Sequence, residues 1–177
     1  MADKKLYDNL IQIIKGNSGP IEANETVLTE ILDLQIPNGY CARIRKVFFI
    51  DNINADQKGQ DSIILRGAFI MDSDDEVTYQ IPTFTLEHDV VCDFEHEYQS
   101  FIGTVVGALG GSFVKNHRTE YVFDEDSDVV TVRNVRFNLS SSGLLVTGPN
   151  HTQVKCIVHF TYEKVGLDLY AKLLGIK

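Results

Sequence analysis

The stretch Gln153-Val-Lys-Cys-Ile-Val-His-Phe-Thr-Tyr-Glu163 decides how this chain reads. Val154, Cys156, Val158, Phe160 and Tyr162 take every second position, Gln153, Lys155, His159, Thr161 and Glu163 lie between them, and Ile157 is the one apolar residue on the polar side. Successive side chains of a β-strand point to opposite faces, so this is a strand with one face in a core and the other in water.

The same period recurs upstream. In 26–36 the even positions Leu28, Leu32, Leu34 and Ile36 are apolar, with Glu30 the exception, and Pro37-Asn-Gly39 is a turn signal. A second strand over 40–50 places Tyr40, Ala42, Ile44, Phe48 and Ile50 on one side and Arg43 and Arg45 on the other, and a hydrophilic loop is expected from Asp51 to Asp61. Ile63, Leu65, Phe69 and Met71 line a third strand, with Gly67 among them, before an acidic turn at 72–76. Val77, Tyr79 and Ile81 alternate in one phase and Phe84, Leu86, Val90 and Cys92 in the other, which predicts a bulge or corner at Pro82. Tyr121 and Phe123, Val130 and Val132, and Val135, Phe137 and Leu139 make further strands, and 140–143 and 148–150 read as turns around a short strand at 144–147. Eight or nine strands without regular β-α-β alternation predict an antiparallel all-β sandwich or barrel.

Three segments depart from this pattern. Leu6, Leu10, Ile13 and Ile14 share one face of a helix expected over 3–15, capped by Asp3 and ended by Gly16. Residues 98–114 are apolar, with Gly103, Gly107 and Gly111 four apart, and are expected to form a short helix and glycine loop across one end of the sandwich. They fall short of the roughly 20 apolar residues that span a bilayer. After Gly166 a second amphipathic helix covers 167–174.

The 177 residues suit one domain, and 44% hydrophobic with 23% charged residues is ordinary globular usage. Cys41, Cys92 and Cys156 are odd in number and form no C-x-x-C pair, so they read as core residues of a chain made in a reducing cytoplasm. Met1-Ala-Asp-Lys-Lys opens no uninterrupted apolar run, so no signal peptide is expected. Net charge is −9, and the densest basic group, Arg43, Arg45 and Lys46, forms no arm or stripe. Electrostatic grip on phosphate needs clustered Lys and Arg, so tight nucleic-acid binding is not expected.

Motifs for catalysis are missing. There is no G-x-S-x-G, no phosphate-binding glycine loop ending in Lys-Ser/Thr, and no G-x-G-x-x-G, so the chain reads as no enzyme. His88 and His96 stand among Glu87, Asp89, Asp93, Glu95 and Glu97 without a metal-ligand spacing, and read as a strand surface. The metal candidate is the turn Asp124-x-Asp126-x-Asp128, whose three carboxylates suit weak, structural Ca²⁺ binding, although Val129 and Val135 break the EF-hand pattern. No other cofactor is indicated.

The order and spacing of these elements across 21–165, clearest in 26–50 and 154–165, resemble the single jelly-roll capsid proteins of icosahedral viruses. The resemblance implies an eight-stranded antiparallel jelly roll over 21–165, an N-terminal helical arm over 1–20 and a C-terminal helical tail over 166–177. It also implies a homo-oligomeric shell found in the virion after synthesis in the host cytoplasm. Lacking a basic arm, such a subunit is expected to meet other virion proteins or an internal membrane rather than the genome. Val165, Leu169 and Leu173 form one apolar stripe of the tail, with Tyr170 and Leu174 beside it, and are the expected subunit contact. The rival is a ligand-binding β-sandwich, a carbohydrate-binding or receptor-binding appendage, but its usual aromatic platform lacks support in a chain without Trp.

Overall fold

A computed structural model describes residues 10–21, 28–56, 62–71, 90–99, 112–124, 126, 129–142 and 152–173. The quoted stretch lies in the strand β9 (Gln153–Lys164), with Val154, Cys156 and Val158 at 0% exposure and Phe160 at 3%. Its neighbours follow from what its two edges accept. On one side it pairs antiparallel with β3 (Tyr40–Asp56), and on the other with β1 (Gln12–Asn17). β6 (Ser112–Val122) lies on the far side of β3, where the two-residue β7 (Val130–Thr131) also pairs, completing a five-stranded sheet.

β1 corrects the expected N-terminal helix over residues 12–15 and moves the start of the sandwich from 21 to Gln12; residues 1–9 lie outside the described residues. Ile11, Ile13 and Ile14 are β-branched and fit an extended strand. In register with β9, Ile14 faces Val158 and Gly16 faces Cys156 on the core side, which leaves Ile13 exposed.

The second sheet has the order β2 (Leu28–Leu32), β8 (Val135–Ser142), β4 (Ser62–Met71), β5 (Val90–Gln99), all antiparallel. Its inward residues Leu65, Phe69, Val135, Phe137 and Leu139 are buried as their alternation predicts. The turn before β3 is also as read: Tyr40 N–H donates to Pro37 O at 3.0 Å, and Gly39 holds φ +77°, which a side chain would strain.

The two sheets face each other over one core. Phe49 of the first sheet meets Phe94 and Phe137 of the second at ring-centroid distances of 4.8 and 5.8 Å. Offset aromatic pairs of this kind are worth about 0.5–1.5 kcal/mol each beyond their burial. Gly67 lies beneath this group. A Cβ there would overlap the Phe94 ring and come within 3.2 Å of Phe137.

A bulge corrects the reading of β3. Its register against β9 shifts between Ile44 and Lys46, so Val47 and Phe49 point inward while Phe48 and Ile50, expected beside Ala42 and Ile44, point outward. At the same place β3 exchanges partners: Phe123 N–H donates to Arg45 O and Ile44 N–H to Val129 O, both at 2.9 Å, where β6 ends and β7 begins. Phe48 stays 6% exposed on the outer face because the His159 ring and the Arg118 guanidinium cover it, at 5.0 and 4.5 Å. β3 also runs on to Asp56, replacing the first half of the expected loop.

A second shift, between Phe69 and Ile70 of β4, puts Val90 outside against Ala68 and Ile70 while Cys92 stays inside. Ser140, Ser141 and Ser142 belong to β8 rather than to a turn, and Tyr98, Gln99 and Ser112–Val114 to strands rather than to a helix. The rest of the glycine-rich stretch, the acidic turn at 72–76, the phase change at Pro82 and the short strand at 144–147 lie outside the described residues. The chain closes with α1 (Leu167–Leu173), as expected to within Leu174, which is also outside them. No helix among the described residues is long and apolar enough to cross a membrane.

Candidate functional site

The inward phase of β3 after its bulge is Val47, Phe49, Asp51, so a carboxylate follows two core residues and is itself only 1% exposed. The inward phase of β5 is Cys92, Phe94, His96, which sets an imidazole on the opposing sheet at the same end of the core. The two meet: His96 Nδ1 lies 2.8 Å from Asp51 Oδ2. The other ring nitrogen, Nε2, lies 3.0 Å from Thr119 Oγ1 on β6.

A carboxylate only accepts, so Nδ1 carries the hydrogen donated to Asp51, and the Thr119 hydroxyl, which both donates and accepts, meets Nε2 whichever of the two carries the shared hydrogen. His117, paired with Asp51 in the β3–β6 register, brings its ring to 3.9 Å from that of His96 at 65°. On its other side His96 has the Phe94 ring at 4.8 Å. The aromatic core thus turns polar at this end, and exposed His117 opens it to solvent.

This arrangement can do two things. Carboxylate, imidazole and hydroxyl in series can pass a proton, as in hydroxyl nucleophile activation. One carboxylate and two imidazoles can ligate a metal ion, and ligand atoms of Asp51, His96 and His117 lie within 4.8 Å of one another.

Of the residues singled out by sequence, only His96 joins this cluster. Asp124 and Asp126 are exposed beyond β6, and Asp128 and His88 lie outside the described residues. In the tail, Val165, Tyr170 and Leu173 are half-buried and Leu169 is 49% exposed. Arg43 and Arg45 both reach Glu163 Oε1, at 2.7 and 3.4 Å, and Lys46 reaches Glu120 at 3.4 Å. Each member of the basic group therefore has a carboxylate partner on a neighbouring strand, with Glu163 serving two of them. A separate cleft of about 490 Å³ is lined by Gln12, Pro37, Tyr40 and Tyr162. Tyr162 donates its hydroxyl hydrogen to Leu34 O at 2.8 Å, and burial pushes its pKa up.

Sequence reasoning missed Asp51, Thr119 and His117. Asp51 reads as the start of a loop unless a bulge is placed at Arg45, and then its phase with Val47 and Phe49 marks a buried acid that needs a partner. His117 and Thr119 carry no such signal.

No protein-family model matches the chain, and no curated protein matches it. The architecture defines the class by itself: an all-β protein of two facing antiparallel sheets.

Proposed function

We propose that this chain is a single jelly-roll coat subunit that assembles with copies of itself into a closed icosahedral shell. The strand pairing supports the jelly roll. Leaving aside two-residue β7, the first strand pairs with the last, the second with the next to last, and so inward to β4 with β5. That nesting is what results when one long hairpin is rolled into two sheets, the architecture of many capsid domains, lectins and cupins.

The observation that carries assembly is the tail. α1 buries none of its residues, and Leu167 and Leu169 are 86% and 49% exposed. Near the other end of the chain, Leu10 and Ile11, just before β1, and Ile13 on it are also about half exposed or more, and among the described residues β1 is an edge strand. Exposed apolar residues at both termini favour a subunit contact over a lone sandwich. The acidic net charge and the paired Arg43, Arg45 and Lys46 favour neighbours, other virion proteins or an internal membrane over direct genome binding. On this reading the protein is no enzyme, is made in the host cytoplasm and resides in the virion, and weak Ca²⁺ at Asp124, Asp126 and Asp128 supports the folded or assembled form.

Light scattering or native mass measurement over a concentration series tests this. The full chain is expected to form particles of defined mass, and a chain ending at Gly166 to remain folded by circular dichroism and to stay near protomer mass. A full chain that stays monomeric at high concentration, across salt and pH, overturns the reading.

The Tyr40 and Tyr162 cleft favours the second reading, a carbohydrate-binding or receptor-binding module. Saturable glycan binding by a monomeric chain, lost in Tyr40→Ala, would select it.

A further inference from the structure

We propose that Asp51, His96 and His117 bind a divalent transition-metal ion of the zinc class, which ties the two sheets together at this end of the sandwich. The ligand atoms come from both sheets, Asp51 and His117 from β3 and β6 and His96 from β5, and all fall within 4.8 Å of one another. Zinc binds imidazole nitrogen and carboxylate oxygen at about 2.0–2.2 Å, so its ligand atoms sit roughly 3–3.5 Å apart. His96 Nδ1 and Asp51 Oδ2, at 2.8 Å, would part slightly to take the ion between them, and His117, with a ligand atom within 4.8 Å of the other two and its ring 3.9 Å from that of His96, would move in to complete the set.

The donor set selects the ion. Two imidazoles with one carboxylate suit zinc, cobalt, nickel or copper, whereas Ca²⁺ and Mg²⁺ take six or more oxygen ligands. The surroundings suit ligation as well. With the ion on Nδ1, the neutral His96 ring carries its hydrogen on Nε2 and donates it to Thr119 Oγ1, 3.0 Å away, where the hydroxyl accepts. Metal-bound histidines are commonly oriented by such a bond from the far ring nitrogen. Phe94 walls the ring on the other side. The ion enters past exposed His117, and three protein ligands leave a coordination position open to water or to a further ligand.

The full-length chain, stripped with chelator and dialysed, is titrated with Co²⁺, whose ligand-field absorption reports nitrogen and oxygen ligation, and then with competing Zn²⁺. One Co²⁺ per chain is expected, displaced by Zn²⁺, with a rise in thermal midpoint on Zn²⁺ loading. Because His117 is exposed, His117→Ala keeps the fold; it is expected to weaken binding by about tenfold or more and to change the Co²⁺ spectrum. Asp51→Asn is expected to do the same, and if it fails to fold the His117 variant decides alone. Thr119→Val, a positioning change, is expected to cost about tenfold in affinity with the same stoichiometry. No ligand-field band at Co²⁺ up to about 1 mM, or a His117→Ala chain that binds within tenfold of the parent, overturns the proposal.

Discussion

At the scale of single residues, the three cysteines set a limit on chemistry. Burial pushes the Cys92 and Cys156 thiols well above the ordinary range, and burial together with the Glu163 carboxylate raises that of Cys41. The thiolate is the reactive form, so the folded protein is expected to resist iodoacetamide at pH 8 at all three positions and to be alkylated at all three in guanidinium, read by intact mass. The linkage has a definite sign. The folded-state values lie above the unfolded ones, so this contribution to stability is fully present below the unfolded thiol value of about 8.5 and is lost as pH rises beyond it. The unfolding free energy from denaturant titration is expected to fall above pH 9, by up to about 1.4 kcal/mol per pH unit for each deeply buried thiol. Gly67 is a second such position. Because an added Cβ would overlap Phe94 and crowd Phe137, Gly67→Ala is expected to cost about 1–3 kcal/mol in urea unfolding, with an unchanged urea dependence of the unfolding free energy. A neutral result would mean that the Phe94 ring moves aside without loss of packing.

At the scale of elements, β1 and α1 differ from the central strands in how little holds them. Among the described residues β1 is an edge strand with one hydrogen-bonded neighbour, and its outward Ile13 is 55% exposed. A charge there leaves the protomer core untouched, since exposed substitutions usually stay within about 0.5 kcal/mol. Ile13→Lys is therefore expected to keep the thermal midpoint of the protomer while lowering particle yield in sedimentation, because lysine on an edge discourages pairing with another chain. Unchanged yield would remove β1 from the contact and leave α1 to supply it. The bulge at Arg45 acts at the same scale in another way. One extra residue in β3 reverses which side chains face the core, so the chain can place Asp51 inside and Phe48 outside without ending the strand.

At the scale of the molecule, charge is distributed so that cations meet carboxylates, across neighbouring strands for Arg43 and Arg45 with Glu163, Lys46 with Glu120 and Arg66 with Glu95, and along β6 for Arg118 with Glu120. With a net charge of −9 as well, the balance of charge disfavours a phosphate backbone. Fluorescence anisotropy with labelled single-stranded DNA at physiological salt is expected to detect no submicromolar binding, and such binding would overturn the reading of the charge pattern.

How far the chain's own order of residues reaches can be followed strand by strand. The inward faces of β9, β8 and β4, and the turn at Gly39, are legible because alternation and turn chemistry are properties of neighbours along the backbone. Val154 is a core residue wherever its strand pairs. The N-terminal strand was not legible, since Leu10, Ile13 and Ile14 fit a helical face as well as an extended one and only the free edge of β9 decides between them. The cluster of Asp51, His96, Thr119 and His117 is least legible of all. Asp51 and His96 lie 45 residues apart on different sheets, and their 2.8 Å contact depends on the bulge in β3, the register of β5 and the facing of the two sheets together. Local sequence determined which residues of β9, β8 and β4 are buried, because burial follows the two-residue period of a strand wherever no bulge interrupts it. Tertiary structure alone decided which buried groups meet, because that depends on how strands far apart in the chain are laid over one another.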